Sequence, residues 1–352
     1  NLPVEQLPPE MQPQPTSTHT PRPITAEEYI AKGDELFGQG RMGEAADEYG
    51  KATRAEPLNA HAHAQWALAL VLRGHRAEAV QAARRAVEID AQSAENQAIL
   101  GMVLDWNGQP DEAVLACLKA VEVDPKLAMG HAFLAEIYMD LDRPEKAQAA
   151  AEEAVALEPG SVWARRNLGY VYEKLGNYTR AIEEYRRALS VHPKMGFLYL
   201  SIGRNYVVLE RYEEAIAEFQ KATEIDPTDP QGFDQMGWLY FVQQDYDRAN
   251  VLLRKAIEVD PTYTPALGHL GVVYYVQRHY EDAIEWLTKA IDQGGARVEY
   301  YYELGLSHVY LEQCDQAIPW LEKALELDPN SEPARQGLSL CGVEPEAPPQ
   351  EG

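Results

Sequence analysis

From residue 26 to residue 331 the apolar positions fall into pairs of helical stretches, each apolar at i, i+3, i+4 and i+7. Proline marks the period. Pro57, Pro125, Pro159, Pro193, Pro227, Pro261 and Pro329 are spaced by 34 residues or multiples of it, with Ala91 and Gly295 where the series skips. A frame closing two residues after this position gives nine units with no insertion or deletion. The eighth position is Gly or Ala in all nine (Gly33, Ala67, Gly101, Ala135, Gly169, Gly203, Gly237, Gly271, Gly305), and the twentieth is always Ala, so two helices can approach closely there. Large residues fill the eleventh position, such as Leu36, Tyr138 and Tyr274, and the twenty-fourth, such as Tyr49, Tyr185, Phe219 and Leu253.

Each unit therefore reads as helix, short turn, helix and a proline-ended turn. The turns RGHRAEA, NGQPDEA, LDRPEKA, LGNYTRA and EQCDQA put Gly, Asn, Asp or Pro just ahead of the second helix. One such pair cannot bury its apolar face alone, so neighbours must stack into a quasi-one-dimensional core.

The stretches NLGYVYEKLGNYTRAIEEYRRALSVHP and HLGVVYYVQRHYEDAIEWLTKAIDQGG carry Leu-Gly-x-x-Tyr, Ala-x-x-x-aromatic and Pro marks, and in these the chain resembles the tetratricopeptide repeat family. The resemblance covers residues 26–331 and implies an all-α, right-handed superhelical solenoid whose first helices line a concave groove. Units 1 to 4 diverge more, with Lys32 and Ala91 where the family has Leu and Pro. Residues 332–341 are expected to form a C-terminal capping helix. Pro-rich residues 1–25 are expected to be an extended segment, and residues 342–352 a Pro/Glu-rich tail.

In this family the groove faces project from about the second, fifth, ninth, twelfth and thirteenth positions. Units 5 to 9 place Trp163, Arg166, Tyr170, Phe197, Arg204, Trp238, Phe241, Tyr275, Tyr302 and Tyr310 there. Units 3 and 4 supply Met102, Trp106, Met129 and Met139, with Asp105, Glu136 and Asp140 beside them. Solvent-facing rings in such number point to a partner, and the competing reading is that several pack sideways against neighbouring units. The family's two-carboxylate clamp is disfavoured, because Ile30, Asp34, Ala64, Leu68, Ala98 and Met102 occupy its positions.

An aromatic groove suits extended, proline-containing ligands. The chain supplies one itself in its first residues, where Leu2, Pro3, Leu7, Pro8, Pro9, Met11, Pro13 and Pro15 are the candidate contacts. At ~3.1 Å per residue that segment reaches roughly 70 Å, far enough to clamp a neighbouring copy. Head-to-tail contact that does not close makes a filament. The expected partners are therefore other copies of the chain or, alternatively, an extended segment of another protein held by a monomeric adaptor or co-chaperone-like module.

A formal charge of -25 disfavours nucleic acid and anionic membrane surfaces, and no stretch is long and apolar enough for a membrane span. No phosphate loop, nucleophile elbow or zinc signature appears, so neither catalysis, a cofactor nor a metal is expected; His61 and His63 face different directions on their helix. The first residue is Asn, and the Pro/Thr-rich start resembles the stalk that follows an export signal. Export to the cell surface, periplasm or exterior is the expectation, with the cytoplasm as the alternative. In the family's packing Cys314 and Cys341 lie at the same end of adjacent helices, so they either pair or remain two thiols, and pairing would imply an oxidising compartment. Cys117, at a core position, is expected to be a buried free thiol.

Overall fold

The computed structural model describes residues 24–344, and the candidate contacts from Leu2 to Pro15 lie outside them. The first helices of successive units are α1 (Ala26–Gly38), α3 (Ala60–Leu72), α5 (Ala94–Trp106), α7 (Ala128–Asp140), α9 (Val162–Lys174), α11 (Gly196–Val208), α13 (Pro230–Val242), α15 (Thr264–Val276) and α17 (Val298–Tyr310). The second helices are α2 (Met42–Ala55), α4 (Arg76–Ile89), α6 (Pro110–Val123), α8 (Pro144–Leu157), α10 (Tyr178–Val191), α12 (Tyr212–Ile225), α14 (Tyr246–Val259), α16 (Tyr280–Asp292) and α18 (Cys314–Leu327). A last helix, α19 (Glu332–Leu340), packs on α17 and α18 as a cap. No strand occurs among the described residues. The molecule is an all-helical solenoid of consecutively packed helix pairs.

Local chemistry starts and stops these helices. Thr25 opens α1 with a capping box, its Oγ1 accepting from Glu28 N at 3.3 Å while its own N donates to Glu28 Oε2 at 2.9 Å. Asn59, Ser93, Ser161 and Asp229 cap α3, α5, α9 and α13 with side-chain oxygens, and Pro110, Pro144 and Pro230 occupy first helical turns. Between the two helices of a unit the chain passes through a left-handed residue. It is Gly in units 1, 2, 3 and 5, and Asp142, Glu210, Gln244, Arg278 or Glu312, at φ 54° to 64°, in the others.

The small eighth position and the twenty-fourth are complementary within each unit. A Cβ on Gly203 would lie 2.3 Å from the Phe219 ring, and one on Gly169 would lie 2.7 Å from Tyr185. Where the eighth residue is instead Ala67 or Ala135, the twenty-fourth is Ala83 or Ala151, and all four are fully buried. A ring or a leucine thus stands at the twenty-fourth position only opposite glycine, as close packing demands. Cys117 follows the same logic: it is a buried free thiol whose Sγ occupies the space a Cβ on Gly101 would need. One core runs from Leu36 to Leu239 and a second from Ala249 to Leu304, with the half-buried Phe233 packed on both.

Cys314 and Cys341 are joined, tying the first residue of α18 to the residue that ends α19. The cap otherwise holds on through Ala334 and Leu338 packed against Leu306, Leu321 and Ala324. Reduction should therefore loosen α19 first. Closing a loop of 27 residues is worth roughly 2–4 kcal/mol in chain entropy. Hydrogen exchange with and without a phosphine reductant should show faster exchange in α19 than in the central units.

The superhelix winds tightly enough for its first turn to touch itself. First helices pack directly on one another from α3 to α5, from α5 to α7 and from α7 to α9, which sharpens the curvature. The turn inside unit 1 then meets the turns after α10 and α12, where a Cβ on Gly40 would fall 2.0 Å from the Lys194 carbonyl oxygen. The turn inside unit 2 adds Arg73, whose Nη1 lies 3.2 Å from Asp226 Oδ2 and whose Nη2 donates to the Thr228 carbonyl at 2.5 Å. This contact joins residues 153 apart in sequence.

Candidate partner-binding groove

The concave side has two chemically distinct parts. In units 3 to 5 it is an ionic cluster. Arg166 of α9 is buried against Glu136 of α7, and its guanidinium lies over the rings of Trp106 at 5.1 Å and Tyr170 at 5.3 Å. Trp106 Nε1 donates to the other Glu136 oxygen at 2.9 Å, and Tyr170 OH donates to Asp140 Oδ1 at 2.5 Å. Lys174 stands over Tyr170 and 3.7 Å from Asp140. Burial alone would lower the Arg166 pKa, but the Glu136 carboxylate more than offsets this and holds it above its usual value.

Asp105 of α5 sits behind this cluster, 7% exposed, and neither of its carboxyl oxygens accepts a hydrogen bond. Burial, with the Glu136 and Asp140 charges added, pushes its pKa up to about 8. In α17 burial and Glu299 push Glu303 up to about 8 as well. Both acids take up a proton on folding. Their contributions are therefore fully present below the unfolded values of 3.8 and 4.5 and are lost as pH rises through about 8. Urea unfolding across that range should show a decline in stability that Asp105→Asn or Glu303→Gln each makes shallower, with the variants gaining most on the wild type near pH 8.

In units 7 to 9 the concave side is aromatic. Trp238 stacks between Phe241 at 4.8 Å and His269 at 4.2 Å, and Phe241 continues to Tyr246 at 5.9 Å. His269 Nδ1 lies 2.7 Å from Oδ1 of the fully buried Asp234, which fixes the imidazole plane under the indole. One unit further on, Tyr275, Tyr280 and Tyr310 form a second group, Tyr280 stacking on Tyr310 at 4.8 Å. Trp238, Phe241, Tyr275 and Tyr302 are half-buried, and Tyr310 is 49% exposed. Burial, then the neighbouring Tyr310 and Glu303, hold the Tyr275 hydroxyl above its ordinary range, so it is a neutral donor at any physiological pH.

Four of the expected groove residues are not open to a partner. Trp163 is 6% exposed, boxed by Phe133 at 5.5 Å and Phe197 at 5.7 Å, so its ring packs between first helices instead of facing solvent. Phe197 is half-buried and lines the closed contact with Gly40, Met42 and Leu72. Arg166 is taken up by Glu136, and Met102 is 1% exposed. The cause is the tight winding, which draws the second position of units 5 and 6 inside. Arg204 is exposed and donates to Ser201 Oγ at 2.9 Å. A cleft of about 490 Å³ opens between the turn inside unit 2 and the turn after α14, with Trp106, Arg73, Tyr263 and Gln231 among its walls.

Family profiles described as tetratricopeptide repeat match residues 30–94, 134–196, 196–229, 241–304 and 298–331. The chain belongs to the tetratricopeptide repeat family. Among solved structures, this repeat solenoid is similar to the Cut9–Hcn1 hetero-tetramer of the APC/C, at TM-score 0.63 and 16% identity over 90% of this chain and 67% of that one. It is also similar to Pseudomonas aeruginosa PilF, at TM-score 0.53 and 19% identity over 61% of this chain and 98% of that one. The human IFIT1 dimer with PPP-AAAA gives TM-score 0.53 and 17% identity over 86% and 73%. At these identities the likeness is one of fold. No curated protein matches the chain in sequence. The repeats and their neighbours support a protein–protein interaction scaffold, and no helix among the described residues is long and apolar enough to cross a membrane.

Proposed function

We propose that this repeat protein is a non-catalytic assembly scaffold whose concave side holds an extended, proline-containing protein segment, and that the first segment it holds is the Pro-rich N-terminus of another copy. The observation that carries the reading is the row of stacked, partly exposed rings from Trp238 and Phe241 to Tyr275 and Tyr310. Prolines in an extended segment lose little entropy on binding and offer flat faces to such rings. Head-to-tail insertion is heterologous and grows into a filament if it does not close. The Cys314–Cys341 bond supports work in an oxidising compartment, at the cell surface, in a periplasm or outside the cell. The second reading is a monomeric adaptor that holds a segment of a different protein on the same rings.

Negative-stain microscopy and sedimentation of the full chain beside a 25–352 truncation test this directly. Filaments or oligomers from the full chain alone are expected. Monodisperse monomers from both, at low and moderate salt, would sink self-assembly. Anisotropy titration of a labelled peptide of residues 1–23 into the truncation then separates the two readings, since an adaptor for another protein gives no binding.

A further inference from the structure

The ionic cluster of units 3 to 5 contains more acid than its own cations answer. Asp105, Glu136 and Asp140 face Arg166 and Lys174, and Arg166 Nη1 donates to Glu136 and Asn167 while the guanidinium lies over two rings. Asp105 is more than nine-tenths buried and no protein donor reaches either of its oxygens; its one hydrogen-bonding neighbour is the Asp140 carboxyl, so in the free protein the two acids share the proton that Asp105 keeps, a place a cationic donor could take. Asp140 stands beside it, its side chain 33% exposed, accepting from Tyr170 OH at 2.5 Å but paired with Lys174 only at 3.7 Å. Trp106, adjacent to Asp105 in the chain, lines the open cleft beside the unit 2 turn.

We infer that Asp105 and Asp140, walled by Trp106 and Tyr170, form a specificity site that accepts one basic side chain, a lysine ammonium or an arginine guanidinium, from the segment held in the groove. The inference rests on the groove reading and names a residue class its ligand must carry. Arg166 lies over both rings and Lys174 over Tyr170 as well, so more than one cation already packs beside these acids and rings. A further cation reaching past Asp140 would take the place of the proton the two acids share. The acid would then release its proton, which burial and the Glu136 and Asp140 charges make it hold in the free protein. The other titratable groups coupled to it are Arg166 on α9 and the buried Cys117 thiol on α6, whose pKa burial raises well above neutrality. The formal charge of -25 favours the approach of such a ligand from a distance.

The test uses two labelled proline heptapeptides, identical except for Lys or Gln at the centre, titrated into the full chain and into Asp105→Asn. In parallel, the Asp105 carboxyl carbon of the wild type, assigned by its loss from the variant spectrum, is titrated with pH in butylammonium chloride and in sodium chloride at equal concentration. A preference of about tenfold for the Lys peptide is expected, as one charge-assisted hydrogen bond implies, falling to near parity in Asp105→Asn. The carboxyl midpoint should fall in butylammonium relative to sodium. If both peptides bind alike and the midpoint does not move, the site is refuted while the groove reading stands. If neither peptide binds, the groove reading fails and the midpoint decides alone: a fall upholds the site, and no movement refutes it. Should Asp105→Asn lose its helical circular dichroism, Asp140→Asn takes its place in the peptide comparison with the same expected loss of preference.

Discussion

Phe219→Ala should lower the unfolding free energy by about 3–5 kcal/mol, the range for removing a fully buried aromatic ring. The ring is 0% exposed and fills the crossing of α11 and α12 against the bare backbone of Gly203. The partner experiment is more telling. Gly203→Ala alone places a methyl 2.3 Å from that ring and must displace it, costing about 1–3 kcal/mol by overpacking. In the Phe219→Ala background the same methyl enters the space the ring has left, as in units 2 and 4, where Ala67 faces Ala83 and Ala135 faces Ala151. A double-mutant cycle read by urea unfolding should therefore give a coupling that favours the double variant. Simple additivity would contradict the volume-matching account.

Arg166→Met should cost a further comparable amount, about 3–5 kcal/mol, because it strands Glu136 in a buried site and removes the charge that restrains the Asp105 pKa. Its sign with pH is specific. Without the guanidinium, Asp105 holds its proton still more tightly, so the loss of stability should grow as pH rises and shrink towards pH 4, where carboxylates protonate in the unfolded chain too. Unfolding at pH 5 and pH 8 separates this from a packing defect, which would cost the same at both. A variant equally destabilised at the two values would show that the guanidinium acts by volume and ring contact alone.

The repeat was legible because its signals recur. A 34-residue step of helix starts, a glycine or alanine at one level and proline in one turn leave a single self-consistent frame, and the structure's helices start on that step from Ala26 to Glu332. Placement of Cys314 and Cys341 was legible for the same reason, since each has a fixed level in the frame. The pairing of Gly203 with Phe219, and of Ala67 with Ala83, was equally present in the sequence and shows once two levels are compared within each unit. Trp163 was misplaced because its level faces solvent only in a wider coil; its burial depends on curvature, which Phe133 and Phe197 set from two neighbouring units. The Arg73 contact with Asp226 had no signal at all, since nothing periodic links residues 153 apart.

That contact also sets how the coil carries load. A spring whose adjacent turns touch cannot be shortened further, so compression along the axis near units 1 to 6 meets the Gly40 and Arg73 contacts at once. Tension finds the opposite: stretching must first part Arg73 from Asp226 and Thr228, and only then do the stacked helix pairs flex in series. The coil is thus stiffer in compression than in tension, with the threshold set by the Arg73 ion pair and by the closed packing of Gly40, Met42 and Leu72 on Phe197.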